Sequence, residues 1–259
     1  KAEYLGDQKY RVTTKNVTAL ILGRPETTDQ ENSTCSVELD GQKISLQAKR
    51  YSPLKFRRTG NRWEATLDLA QNSLTKTPGL QGPIDDAFLD RFIMVRPTGK
   101  PMHAKTGAWV ESELKRAIVH WRKQFRGYAR VKDDTEVTDA DIASANLVLW
   151  GDPASNKLLA RLVGDLPVSW SGDRVSVGDK SFASAGHMPV LIYPNPMNPK
   201  RYVVLNSGFT YREYAYLNNA RQVPMLPDWA IVDLSTPPGT VWPGKIVDAN
   251  FFDERWGVK

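Results

Sequence analysis

The residues of this chain best placed to do chemistry follow its short apolar runs. Asp133 and Asp134 come after Tyr128–Val131, and Gly151, Asp152, Ser155 and Asn156 come after Asn146–Trp150. Asn195 follows Val190–Tyr193, while Asn206 and Ser207 follow Tyr202–Leu205. Ligands of open α/β sheets bind beyond the carboxyl ends of strands, where loops and helix starts converge. Asp152, Ser155, Asn156, Asn195, Asn206 and Ser207 therefore form the candidate ligand-binding set, a polar cleft suited to a small anion, a sugar or a peptide. Turns and helix caps call for the same residue types, so these positions also have a purely structural reading.

Other chemistries are weakly represented. A serine nucleophile needs a base and an orienting acid. Ser155 or Ser207 can be grouped with His187 and Asp152, but no spacing singles this set out. No G-x-S-x-G elbow exists: Ser169-Trp170-Ser171-Gly172 and Asn206-Ser207-Gly208 lack its flanking glycines. His187 reads as a strand-entry histidine bonded to a neighbouring loop, and no catalytic residue is assigned. His103, His120 and His187 have no metal-ligand spacing, and the pairs Asp85-Asp86 and Asp133-Asp134 read as ordinary loop acids, so no metal site is expected. Neither GxGxxG nor the phosphate-loop pattern occurs, and no cofactor is expected. Cys35 stands alone, which excludes an internal disulfide and a multi-thiolate site.

The elements that must hold the candidate set are legible as patterns. Residues 9–70 read as β-rich, with a hairpin about Asp40-Gly41 and another about Thr59-Gly60-Asn61. In the second, Trp63, Ala65, Leu67 and Leu69 alternate after the turn. Residues 71–87 carry Pro and Gly and read as a connector, giving a β-rich, sandwich-like segment over 1–80 and a second domain over 81–259. Beyond the connector, apolar runs alternate with helical periodicity. Phe92–Val95, Asn146–Trp150, Val190–Tyr193 and Tyr202–Leu205 should be buried strands of one sheet.

A helix is expected over Ala108–Phe125, with Trp121 filling the helix–sheet interface and Gly127 as its cap. Thr138 should cap a short helix, a second should start at Ser155, and a third should cover Tyr211–Asn219. The expected class is α/β: a mostly parallel, layered sheet with helices on both faces. The loop in Pro194–Pro199 is too short for a crossover helix, so its two strands are either antiparallel neighbours or apart in the sheet. Most tryptophans sit in apolar runs and read as core rather than as a sugar platform.

The totals bound the rest. At 259 residues, 41% hydrophobic and 25% charged, the chain reads as globular, with no run near the roughly 20 apolar residues of a membrane span. The N-terminus KAEYLGDQKY carries no signal-peptide core. The net charge of +6 comes from scattered cations, densest at Lys49-Arg50, Lys55–Arg58 and Lys115–Arg130, and no nucleic-acid motif accompanies it. Neither nucleic acid nor membrane is expected as a partner.

Three blocks carry a resemblance. GPIDDAFLDRFIMVRPTG (82–99), VKDDTEVTDADIASANLVLWGDPASN (131–156), and HMPVLIYPNPMNPKRYVVLNSG (187–208) with LPDWAIVD (226–233) resemble a region of large exported bacterial proteins. Those proteins are prolyl-oligopeptidase-like or other α/β-hydrolase-type serine peptidases, notably of planctomycetes, and the region lies C-terminal to their hydrolase domain. The β-rich edge, including Val12–Val17, shares the likeness. The resemblance implies export, an upstream catalytic hydrolase domain as partner, and a catalytic serine, acid and histidine before residue 1. The expected function is that of a non-catalytic accessory region, binding substrate polysaccharide or peptide, packing on the catalytic domain, or both. The alternative is a hydrolase in its own right that uses the polar strand-end cleft.

Overall fold

The computed structural model describes residues 1–24, 31–67, 69 and 74–259. The chain divides into two compact units, Lys1–Asn72 and Ser73–Lys259.

The first unit is all β. It contains β1 (Ala2–Tyr4), β2 (Lys9–Val12), β3 (Ala19–Leu22), β4 (Asn32–Leu39), β5 (Gln42–Lys49), β6 (Leu54–Thr59) and β7 (Arg62–Ala65). One sheet has the order β1-β2-β4-β5 and the other β3-β6-β7. Tyr10, Val12, Val37 and Leu39 of the first bury together with Leu54, Phe56 and Trp63 of the second, so the core is sandwich-like. Asp40 and Gly41 both take left-handed φ, 51° and 84°, as a two-residue hairpin requires. The Asp40 carboxylate accepts from the Thr14 amide at 2.6 Å and from Trp63 Nε1 at 3.0 Å, tying the turn to the segment after β2 and to β7 of the other sheet. The alternation expected after Gly60 stops early: β7 ends at Ala65, and Leu67 is 97% exposed.

The second unit is built on a seven-stranded sheet. Its elements are β8 (Phe92–Arg96), α1 (Ala104–Phe125), β9 (Val131–Asp133), α2 (Asp139–Ser144), β10 (Asn146–Leu149), α3 (Lys157–Leu162), β11 (Ser169–Trp170), β12 (Arg174–Val177), β13 (Lys180–Ala183), β14 (His187–Asn195), β15 (Asn198–Leu205), β16 (Trp229–Asp233) and β17 (Lys245–Asn250). The large sheet has the order β17-β16-β14-β15-β10-β8-β9, and β11-β12-β13 form a small separate one. The four apolar runs all lie in the large sheet. Phe92–Val95, Leu147–Leu149, Val190–Ile192 and Tyr202–Leu205 are buried, as strands covered on both faces must be.

The expected fold class is nevertheless wrong. Among the described residues strand makes up 36% and helix 20%, and there are three α-helices, two of them of six residues. The sheet is mixed, not mostly parallel. β15-β10, β10-β8 and β8-β9 are parallel, but β14-β15, β14-β16 and β16-β17 are antiparallel. Asn195 pairs with Asn198, so β14 turns directly into β15. Tyr211–Asn219 forms only a 3-10 turn, Glu213–Leu217, where a helix was expected. Three tyrosines, weak helix formers, crowd that stretch, and Asn218 is fully extended (φ −164°). A layered α/β fold with helices on both faces is therefore excluded. Aromatic packing supplies part of the cover instead, with Trp256 against Tyr193 and Tyr202 at centroid distances of 5.7 and 6.1 Å.

Helix α1 begins four residues before the expected start and is capped by Arg126, not Gly127, in the left-handed conformation (φ 63°). Its buried stripe is Trp109, Val110, Leu114 and Ala117, and a Cβ added to Gly208 would lie 2.6 Å from Ala117 Cβ. Trp121 is only half-buried, against Phe88, Phe92 and Phe125. The interface anchor is Trp109, whose Nε1 donates to the Pro243 carbonyl at 2.7 Å. Thr138 caps α2 in a full capping box with Asp141.

Candidate functional site

Strands β8, β10 and β15 run in the same direction, so their carboxyl ends open onto one edge of the sheet. The loop Gly151–Asn156 lies there, between β10 and α3. Asp152 folds it into a turn: Oδ1 accepts from the amides of Ala154 (3.0 Å) and Ser155 (2.9 Å), and Oδ2 accepts from the Met102 amide at 2.9 Å. Ser155 Oγ accepts from the Asp152 amide at 2.9 Å. Asn156 caps α3, accepting from Leu158 and Leu159, while its Nδ2 donates to the Trp150 carbonyl at 2.9 Å. Helix α3 therefore starts after Asn156, not at Ser155. Asn206, with φ 51°, grips Gly151 from the next strand through two bonds.

Asp152, Ser155, Asn156 and Asn206 thus come together, and each is at most 2% exposed. Ser207 follows on the same edge, with its Oγ donating to the Gly208 carbonyl at 2.9 Å. Asn195 does not join them. The antiparallel register Asn195↔Asn198 and Leu191↔Leu205 puts it at the opposite end of β15. There its Oδ1 accepts from the Met197 amide at 3.0 Å, and its Nδ2 is buried without a partner among the described residues. Asp134 accepts from the Lys157 amide at 2.6 Å, and Asp133 pairs with Arg96 at 2.6 Å.

No serine–histidine–acid unit forms from these residues. His187 opens β14 with Nδ1 2.9 Å from the Ala183 carbonyl oxygen, and neither Ser155 nor Ser207 has a histidine partner among the described residues. His103 Nε2 does lie 3.3 Å from Ser184 Oγ. That hydroxyl is 1% exposed and donates to the Gly172 carbonyl, so it is closed to a substrate.

Above the strand ends lies a cavity of about 620 Å³. Pro97, Pro101, Val110, Leu114, Ile118 and Val131 supply its apolar lining, with Asp152 and Ser155 in the wall. Arg96, Glu111 and Lys115 are its exposed charges. Glycine shapes the wall: the Gly99 amide donates to the Ser155 carbonyl at 2.8 Å, and a Cβ there would stand 2.8 Å from the Ala154 carbonyl oxygen. The size suits one small ligand or one or two peptide side chains.

Sequence reasoning missed two buried polar groups in this unit. Arg212 donates both terminal nitrogens to Glu113, at 2.6 and 3.1 Å, and its Nε donates to the Gly239 carbonyl at 2.7 Å. Arg116 pairs with Glu213 beside it at 3.3 Å, and His120 Nδ1 lies 2.6 Å from Tyr216 Oη. Burial, reinforced by the Arg116 charge, pushes His120 down to about 4. The second group is Asp85, which accepts from the Thr210 amide at 2.6 Å and from its hydroxyl. Burial raises Asp85 to about 6 despite those bonds. Glu113 at an otherwise apolar helix position was the available signal.

Among the described residues no group of three or more His, Cys, Asp or Glu could hold a metal ion, and no helix is long and apolar enough to cross a membrane. No family profile, curated protein or solved structure matches the chain.

Proposed function

We propose that this chain is a non-catalytic accessory region that binds peptide through the cavity at the carboxyl ends of β8 and β10. The observation that carries this reading is how the strand-end polar groups are used. Asp152, Ser155, Asn156 and Asn206 spend their hydrogen bonds on backbone, which leaves an apolar cavity rather than a polar cleft. Sugars are recognised largely by aromatic faces and hydroxyl partners, and the lining has no aromatic residue. Apolar peptide side chains fit such a wall by burying their surface. The resemblance supplies the context: an exported serine hydrolase or peptidase with its catalytic domain upstream, which this region would serve by holding substrate. A hydrolase acting by itself fits less well, since Ser155 and Ser207 have no histidine partner among the described residues and Ser184, which has one, is closed off.

A fluorophosphonate probe applied to the chain should leave it unlabelled, while calorimetry with short peptides carrying Leu, Ile or Val should give saturable binding that Leu114→Gln weakens. Labelling of any serine, or binding unchanged in Leu114→Gln, would overturn the reading.

A further inference from the structure

We propose that the second half of α1, with the segment after it, is a docking face for an acidic polysaccharide. This face adjoins the cavity, whose lining includes Lys115, but the inference does not depend on the cavity reading. Leu114–Lys132 holds seven Lys and Arg residues and no Asp or Glu. Two of the seven are committed, Arg116 to Glu213 and Lys132 to Asp141. The other five, Lys115, Arg122, Lys123, Arg126 and Arg130, are exposed and make no ion pair among the described residues. A helix dipole favours cations in the last turn, which accounts for Arg122 and Lys123. It does not account for Lys115, two turns earlier, or for Arg126 and Arg130 beyond the helix.

Aromatic rings hold the cations in place. Arg122 Cζ lies 4.5 Å from the centroid of Tyr128, a residue 83% exposed that has no core to fill. Lys123 sits 5.8 Å from Tyr216, and Arg221 lies 4.5 Å from Tyr214 in the neighbouring turn. Arg122 Nη1 donates to the Arg126 carbonyl, and stacking by its face leaves its other N–H groups open to carboxylate or sulfate. Beside it, Trp121 and Phe125 stack at 4.4 Å with Phe125 39% exposed, an apolar strip of the kind that takes the C–H face of a sugar ring. Cation forks next to such a strip match a polymer bearing an acid and an apolar ring face on each unit. Single-stranded nucleic acid matches less well, because its bases need free ring faces and the tyrosine faces here carry cations.

The probes are polygalacturonate, neutral dextran and a single-stranded DNA oligomer of equal charge, titrated against the wild-type chain by calorimetry at low and moderate salt. The variants are Arg122→Glu with Arg126→Glu, and Tyr128→Ala, each checked for an unchanged thermal melt. The expected result is saturable polygalacturonate binding, none with dextran, weaker binding of DNA, a loss of about tenfold or more in the double variant, and a several-fold loss in Tyr128→Ala. Three results would each overturn the proposal. They are no polygalacturonate binding, DNA binding as tight or tighter, or a Tyr128→Ala protein that binds like wild type and so acts as a plain ion exchanger.

Discussion

Asn206 treats Gly151 as a neighbouring strand would. Its Oδ1 accepts the Gly151 amide at 2.8 Å, and its Nδ2 donates to the Gly151 carbonyl at 2.9 Å. The ladder between β10 and β15 is thus continued by a side chain where the backbone leaves extended geometry. Asn206→Ala would strand a buried donor and acceptor and keep a left-handed φ that Ala tolerates poorly. The expected cost is about 3 kcal/mol in a denaturant melt. A loss below about 1 kcal/mol would mean that water replaces the amide, and so that this edge is open.

The two tryptophans of α1 should behave differently. Trp109→Ala removes a side chain that is 5% exposed and hydrogen-bonded to Pro243, at a cost of about 3–5 kcal/mol. Trp121→Ala should cost only about 1–2 kcal/mol, the value of a half-buried ring with aromatic neighbours. Denaturant midpoints of the two variants, compared at equal slope, test the order.

Glu113 and Arg212 are both buried, so removing Arg212 takes away the partner of Glu113, while removing Glu113 leaves Arg212 only a 3.9 Å contact with Glu213. Glu113→Ala should cost about 3–5 kcal/mol, and adding Arg212→Ala should cost much less than it does alone. A double-mutant cycle measures this coupling. Additive losses would show that Arg116 or Gly239 compensates each partner separately.

Asp85 and His120 oppose one another in pH. The Asp85 carboxyl, raised to about 6, binds a proton more tightly in the folded chain, so its contribution is full below pH about 4 and is lost as pH rises through 6. His120, lowered to about 4, is buried neutral, so its contribution is full above pH about 6.5 and is lost as pH falls through 4. Each effect is on the order of 3 kcal/mol, and over pH 4–6 they largely cancel. Asp85→Asn should leave stability that climbs from pH 4 to 6.5, and His120→Gln should leave stability that falls across the same range. Urea melts at pH 4.5 and 6.5 distinguish the two, and equal slopes in both variants would contradict the assignment.

Local patterns in the sequence were enough to place several elements. The runs at Phe92, Asn146, Val190 and Tyr202 are continuous apolar stretches between breakers, and a strand buried on both faces has no other way to look. Asp40-Gly41 and Thr138 are equally local, because turn and cap geometry is set by residues within three or four positions. What those signals lack is direction and partner. Whether β14 pairs with β15 or runs apart from it depends on hydrogen bonds between residues far apart in the chain, and the antiparallel answer made the sheet mixed. The same non-local choice sent Asn195 to the far end of β15 and left Asn206 at the loop beside Gly151. It also turned Asp152, Ser155 and Asn156 from a candidate polar cleft into backbone clamps, since a buried amide takes whichever side chain tertiary packing brings within reach. The pairing of Glu113 with Arg212, 99 residues away, has no periodicity to announce it. Sequence determined which segments would be buried; only the folded chain decided which buried polar groups would meet, because burial is a property of each residue and pairing is a property of two.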